Sequence, residues 1–372
     1  MIDTPSVIID RGVLRRNIQR MAAVAREAGV VLRPHCKTHK SPEIAREQLG
    51  AGAGGITVAK VGEAEVMVRG GISDIFIAFP LAAEQKISRA LDLAERSHII
   101  LAVDSVEVAR MVGAQAAKRR HPVEVRLEVD SGMRRTGAAQ ASAAALAHEI
   151  HRIPGLDLTG IFTFRGSLMG GNPTLDRKSA GEEEGRLMAS LAEVLRKEGI
   201  PIRDVSVGST PTAEFAARVP GVTEIRPGTY VFNDRMQVAY GVCALADCAA
   251  TVLVTVVSTP ADDYLVIDGG SKSFATDVQP GGAPLDLKGF GEVVGHPGCL
   301  LSRMSEEHGM VSLQGGRRFR VGDRLRIIPN HICTTVNLHN SLYLTDDAAA
   351  LLEPSASVEV EELAVAARGM VR

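Results

Sequence analysis

Acidic and basic side chains nearly cancel over 372 residues, leaving a formal net charge of -2 without long runs of one sign. That balance excludes a nucleic-acid footprint, and no apolar stretch reaches the roughly 18 residues of a spanning helix. Five irregularly spaced cysteines do not make a disulfide framework, and the first residues lack the basic start and apolar core of a signal peptide, so a cytoplasmic protein without nucleic-acid or membrane partners is expected.

The first strand-like run is 6–9. Short β-branched runs then alternate with Ala/Leu/Glu/Arg-rich stretches up to about residue 235. The expected strands are 30–35, 55–60, 74–79, 98–103, 123–129, 158–164, 204–208 and 223–226, with helices such as 12–28, 42–49, 84–95 and 182–197 between them. Runs such as Ile75-Phe76-Ile77-Ala78 suit parallel strands buried on both faces. Eight βα units predict an α/β chain whose residues 10–235 close into a TIM (β/α)8 barrel. Beyond Met236, helical stretches become rare and strand-like runs (250–258, 264–267, 324–328, 341–344) recur between turns. Residues 236–372 are therefore expected to form a mostly-β domain, joined by 1–9.

Barrel active sites sit just beyond the C-terminal ends of the strands. After the first strand, His35, Lys37, His39 and Lys40 crowd together; if the segment stays extended, His35, Lys37 and His39 share one face. A partly desolvated lysine among cations is a nucleophile toward aldehydes, although a solvated basic loop fits the composition equally well. After the fifth strand, glycines flank Arg134-Arg135, where an arginine can bond an oxyanion. Gly208-Ser209-Thr210-Pro211-Thr212 and Pro227-Gly228-Thr229-Tyr230 follow the last two strands, the usual place for a phosphate in this fold. Ser209-Thr210-Pro211 also reads as an ordinary helix cap. In the second domain, His331 and Cys333 stand two apart after a strand. Imidazole and thiolate suit zinc, with manganese, cobalt or magnesium as alternatives, while a packed cysteine beside a surface histidine is the commoner outcome for such a pair. The GxGxxG string at Gly50–Gly55 has a helix before it and a strand after it, the reverse of a dinucleotide fingerprint, and reads as a helix stop.

Taken together, Asp3-Thr4-Pro5-Ser6, Arg33 to Lys40, Lys60-Val61-Gly62-Glu63-Ala64, Glu128 to Met133, Ser305 to Gly309 and Pro329 to Cys333 make the chain resemble the fold-type III pyridoxal 5′-phosphate (PLP) enzymes. The likeness is to the metal-dependent D-threonine aldolase and D-serine dehydratase group, which has an alanine racemase-like barrel. The resemblance implies a homodimeric lyase of D-3-hydroxy amino acids, with PLP as a Schiff base on Lys37. His35 stands beside that lysine. It implies that Arg135 lies near the phenolic oxygen, that Ser209, Thr210, Gly228, Thr229 and Tyr230 lie near the phosphate, and that His331 and Cys333 bind a divalent metal beside the cofactor. Two departures lean toward dehydration of D-serine- or D-threonine-like substrates to a 2-oxo acid and ammonia. The metal pair is His-x-Cys rather than the His-x-Asp of aldolases. In addition, Arg165 stands where aldolases carry a histidine, and this leaves open a substrate with an extra carboxylate that Arg165 would bind. Retro-aldol cleavage to glycine and an aldehyde is the alternative; an amino-acid racemase or a non-catalytic PLP carrier comes after it.

Overall fold

The computed structural model describes residues 2–315, 319–353 and 357–372. The chain opens with β1 (Ser6–Asp10) and α1 (Arg11–Ala28). Alternating elements follow: β2 (Val31–Leu32), α2 (Pro42–Gly50), β3 (Ile56–Val58), α3 (Val61–Arg69), β4 (Asp74–Ile77), α4 (Glu84–Ala94), β5 (His98–Val103), α5 (Val106–Arg119) and β6 (Val123–Asp130). A short β7 (Ala138–Ala139) leads to α6 (Gln140–His151) and β8 (Leu156–Phe162). The small hairpin β9 (Leu168–Met169) and β10 (Asn172–Pro173) precedes α7 (Arg177–Lys197), β11 (Asp204–Val207), α8 (Ala213–Ala216) and β12 (Glu224–Ile225).

Eight of these strands run parallel in the order β2-β12-β11-β8-β6-β5-β4-β3, and a bridge between His35 and Thr57 joins the two ends of the row. Each expected barrel strand overlaps one of them. Alternation along the strands decides which side chain goes where. On β4 and β5, Ile75, Ile77, Ile99, Leu101 and Val103 pack toward the helices, while Phe76, Ile100 and Ala102 turn inward with Phe162. Phe76 meets Phe162 edge-on at 4.9 Å. The inner layer is also charged. Glu224 takes hydrogen bonds from Arg33 Nε (2.7 Å), Arg126 Nη1 (2.6 Å) and Ser206 Oγ (2.5 Å). Burial opposes ionisation of Glu224, but Arg126 and Arg33 outweigh it and hold the carboxyl at about 2.

The glycine string after α2 is the helix stop expected. Ser41 caps the start by accepting from the Ile44 N–H, Pro42 occupies the first turn, and Gly52 takes a φ of +107° before β3 begins.

The second unit is a nine-stranded sheet. Its strands after α9 (Arg235–Ala239) are β13 (Ala250–Ser258), β14 (Tyr264–Ile267), β15 (Gly291–Val293), β16 (Leu300–Met304), β17 (Gly309–Ser312) and β18 (Arg324–Pro329). After α10 (Ile332–Leu338) come β19 (Ser341–Thr345) and β20 (Glu361–Ala364). The order is β14-β17-β16-β15-β18-β13-β1-β19-β20. The strand at the N-terminus does join this sheet, antiparallel to β13 and parallel to β19.

By contacts the chain divides into Gln19–Gly228 with Gly369–Arg372, and Met1–Ile18 with Thr229–Arg368. The first turns of α1 and the segment from Thr229 group with the sheet, and the final residues return to the barrel, where the Gly62 N–H donates to the Arg372 carbonyl at 2.9 Å. Among the described residues, no helix is long and apolar enough to cross a membrane.

Candidate active site

In the barrel unit, the Lys37 segment does not stay extended. The N–H groups of His39 and Lys40 both donate to the Cys36 carbonyl, curling Cys36–Thr38 into one 3-10 turn. Cys36 is buried within this turn. His39 is consequently not beside Lys37 as expected. It is fully buried, with Nδ1 accepting from the Ser41 N–H at 3.1 Å and Nε2 facing Gln48 Oε1 at 3.2 Å. Lys40 is fixed by a buried ion pair with Glu63 at 2.8 Å. His35 and Lys37 remain half-buried, and His35 Nδ1 accepts from the Lys37 N–H at 3.3 Å.

Three loops converge on this lysine. Lys37 Nζ lies 5.4 Å from the centroid of the Phe164 ring, and the Arg135 guanidinium lies 5.2 Å from the same ring. The loops after β2, β6 and β8 thus meet at one point. Burial, then the charges of Lys37, Arg226 and Arg135, hold His35 well below the usual imidazole range, so it is neutral and can accept that hydrogen bond.

Gly228 lies against this turn, and the His35 N–H donates to the adjacent Pro227 carbonyl at 3.0 Å. A methyl group at 228 would come within 3.0 Å of the His35 carbonyl and 3.2 Å of Thr38 Oγ1. Gly228→Ala is expected to displace the Lys37 turn and weaken PLP binding by about tenfold, or about 1.4 kcal/mol. Titration of the apoprotein with PLP checks this.

The loop after β11 presents buried hydroxyls at Ser209, Thr210 and Thr212. The Ser209 N–H donates to Thr212 Oγ1 at 3.0 Å, and the two hydroxyls are 2.9 Å apart. A set of buried hydroxyls beside Gly208, whose φ is +83°, fits a phosphate as well as a helix cap.

Arg165 is not open to a substrate. It is 2% exposed, and its guanidinium donates to the Ser131 carbonyl (3.2 Å), Glu183 Oε1 (3.0 Å) and the Ala180 carbonyl (3.2 Å). These bonds brace the loops after β6 and β8 against helix α7. The residue missed by reasoning from sequence is Arg226, which is buried and donates to the Thr163 carbonyl at 2.6 Å and to Ser206 Oγ. Its signal was an arginine at the very end of the last barrel strand, directly before Pro227-Gly228.

In the second unit, His331 is the residue before α10 and Cys333 lies in the first turn. Strand β18 ends at Pro329, just before the pair, in keeping with the strand expected at 324–328, and a hydrogen bond between His331 and Cys333 brings the two side chains together. His331 Nδ1 is held by Asp277 Oδ2 at 2.6 Å, and Asp277 is itself fixed by the Thr334 hydroxyl at 2.8 Å. Burial opposes a charge on His331, but Cys333 and Asp277 outweigh it and push the imidazole up to about 11. The Thr229 hydroxyl lies 3.5 Å from Cys333 Sγ, so Thr229 sits on the side of this pair, while Tyr230 is buried in the same 3-10 turn. Asp234 accepts from the Ile332 N–H at 3.0 Å, and Arg235 donates to Asn330 Oδ1 at 2.7 Å, pinning the loop on both flanks.

This donor set fits a metal with open positions. One imidazole and one thiol meet here, and a carboxylate behind the imidazole fixes its orientation. Among the described residues, no third His, Cys, Asp or Glu completes a closed cluster.

Comparison with known proteins places this arrangement. Residues 9–236 match the family model "Alanine racemase, N-terminal domain", and residues 249–345 match a serine dehydratase domain model. A D-threo-3-hydroxyaspartate dehydratase from Delftia sp. is 37% identical over 90% of this chain and 92% of its own length. A D-threonine aldolase from Arthrobacter sp. is 33% identical over 93% of this chain and 90% of its own length. A solved structure of a D-threo-3-hydroxyaspartate dehydratase, a cysteine-to-alanine mutant in the metal-free form, superposes with a TM-score of 0.87 at 35% identity, covering 97% of each chain. The chain belongs to the fold-type III PLP family built on the alanine racemase N-terminal domain, in the group that joins this barrel to a serine dehydratase domain.

Proposed function

We propose that this PLP-dependent lyase of D-3-hydroxy amino acids is a metal-dependent dehydratase, converting a D-serine- or D-threonine-like substrate to a 2-oxo acid and ammonia. The observation that carries this reading is the His331–Cys333 pair backed by Asp277. When bound, PLP supplies an electron sink for the charge left at Cα, and the metal, with zinc suited to the thiolate, supplies a Lewis acid for the β-hydroxyl.

The chain's own residues have distinct tasks. The Lys37 amine would hold the cofactor's aldehyde, and Nζ, once the substrate's amino group displaces it, would be free to take the Cα proton as general base. Neutral His35 holds the Lys37 backbone in its turn. Arg135 offers a guanidinium to the cofactor's phenolic oxygen, and the hydroxyls of Ser209 and Thr210 serve its phosphate. His331 and Cys333 hold the metal, and Asp277 keeps the imidazole aimed. Homodimerisation belongs to the same reading.

The 33% identity to a D-threonine aldolase supports retro-aldol cleavage as a second outcome. Against it, the position after β8 that would need a base is occupied by Arg165, a tied guanidinium that stays protonated. The likeness to a D-threo-3-hydroxyaspartate dehydratase adds a substrate with a second carboxylate to those worth assaying. Incubation with D-serine, D-threonine and D-threo-3-hydroxyaspartate is expected to release 2-oxo acid and ammonia in equal amounts. Glycine accumulating together with an aldehyde would end the dehydratase reading.

A further inference from the structure

Helix α7 carries the run Glu182-Glu183-Glu184, which the structure sorts into three environments. Glu182 pairs with Arg186 at 2.6 Å, and Glu183 pairs with Arg165 at 3.0 Å. Glu184 is fully buried, and neither of its oxygens closes a hydrogen bond of ordinary geometry. A buried carboxyl in that condition is costly, and an apolar side chain would serve helix packing better.

Its surroundings indicate what it does. Gly181 and Gly185, three residues before Glu184 and one after it, let α7 approach the segment after β11 very closely. A methyl on Gly181 would lie 2.7 Å from the Thr212 carbonyl, and one on Gly185 would lie 2.8 Å from Val219 Cγ2. The backbone N–H groups of Gly208 and Arg165 both interact with the Glu184 carboxyl, and the Arg165 and Arg226 side chains act on it by charge. One side chain thus contacts the start of the loop after β11 and the loop after β8.

We propose that Glu184 is a positioning residue for the phosphate-binding loop, holding the Gly208 turn at the spacing that a phosphoryl group requires. The proposal rests on reading 208–212 as that loop. Burial, partly offset by Arg165 and Arg226, pushes the carboxyl up to about 7. The neighbouring carboxylate, Glu183, acts through its ion pair with Arg165. A phosphate dianion arriving at the Gly208 turn favours the protonated carboxyl, so ligand and proton bind together. Affinity is then full below about pH 7 and falls above it, by as much as about tenfold per pH unit. Glutamine mimics the protonated form. Because the wild-type carboxyl is raised, its contribution to stability is lost as pH rises, so the glutamine variant melts no lower than wild type at pH values above about 7.

The test is calorimetric titration of full-length apoprotein (wild type, Glu184→Gln and Glu184→Ala) with pyridoxamine 5′-phosphate and with pyridoxamine, on both sides of neutrality. Neither ligand carries an aldehyde, so capture by Lys37 does not enter. The expected result is that wild type prefers the phosphorylated ligand, with a preference that declines as the solution becomes alkaline. Glu184→Gln keeps the preference and loses the decline, and Glu184→Ala loses about tenfold of the preference while pyridoxamine binding is unchanged. A Glu184→Gln protein with the wild-type pH slope overturns the role of Glu184 while leaving the loop's role intact. A wild type that binds both ligands equally overturns the phosphate-loop reading, and the proposal with it.

Discussion

Lys37→Ala is expected to lower turnover by on the order of 10³-fold or more, because one amine both anchors the cofactor and moves the Cα proton. The neighbouring lysines cannot substitute for it. Lys40 is locked to Glu63 in a buried ion pair, and Lys60 lies over the Phe79 ring at 3.5 Å. Borohydride reduction of the wild-type protein with PLP, followed by peptide mass analysis, is expected to place a pyridoxyl phosphate group on Lys37. In Lys37→Ala that label disappears. A reduced adduct recovered mainly on Lys40 or Lys60 would move the reactive amine elsewhere and dismantle the site as described.

Removal of the metal pair is the second large effect. Cys333→Ala and His331→Ala are each expected to reduce turnover by about 10²- to 10³-fold while PLP is still retained, since the loss is of Lewis-acid assistance to the departing hydroxyl. Asp277→Ala leaves both donors in place but releases the imidazole, and a smaller loss of about 10- to 100-fold follows. Dialysis against a chelator reproduces the Cys333→Ala defect, and added zinc, manganese, cobalt or magnesium ranks the metals by recovery. Full activity in the presence of chelator, together with an active Cys333→Ala protein, would remove the metal from the mechanism.

The fold was legible because its signals are local. Most barrel strands are short β-branched runs followed by a helix, and each strand proposed for 250–258, 264–267, 324–328 and 341–344 coincides with an observed one. Lys37, Arg135 and the loops at 209–210 and 228 are singled out in the sequence by their position after strands. What remained hidden depends on distant pairing. Asp277 lies far from His331 in sequence, in a stretch with no motif of its own. Glu184 reads as one more charge in a solvated run until α7 is laid against the barrel. Arg165 occupied the place of a base, but whether it faced a ligand or a helix depended on Glu183 and the Ala180 carbonyl, which only the folded chain brings to it. The extended reading of 35–39 failed because the His39 and Lys40 N–H groups turn back onto the Cys36 carbonyl, which no residue type in the segment announces.

The place of β1 has a practical consequence for anyone wishing to work with the β-rich half alone. Because Ser6–Asp10 threads between β13 and β19 rather than along a rim, a clone begun at residue 236 would split its sheet into two pieces with fresh, unsaturated borders. During synthesis, the same strand waits unpaired until β13 has been delivered, and its second partner β19 comes later still. A circular permutant that appends those opening residues behind the present C-terminal end would shorten that wait.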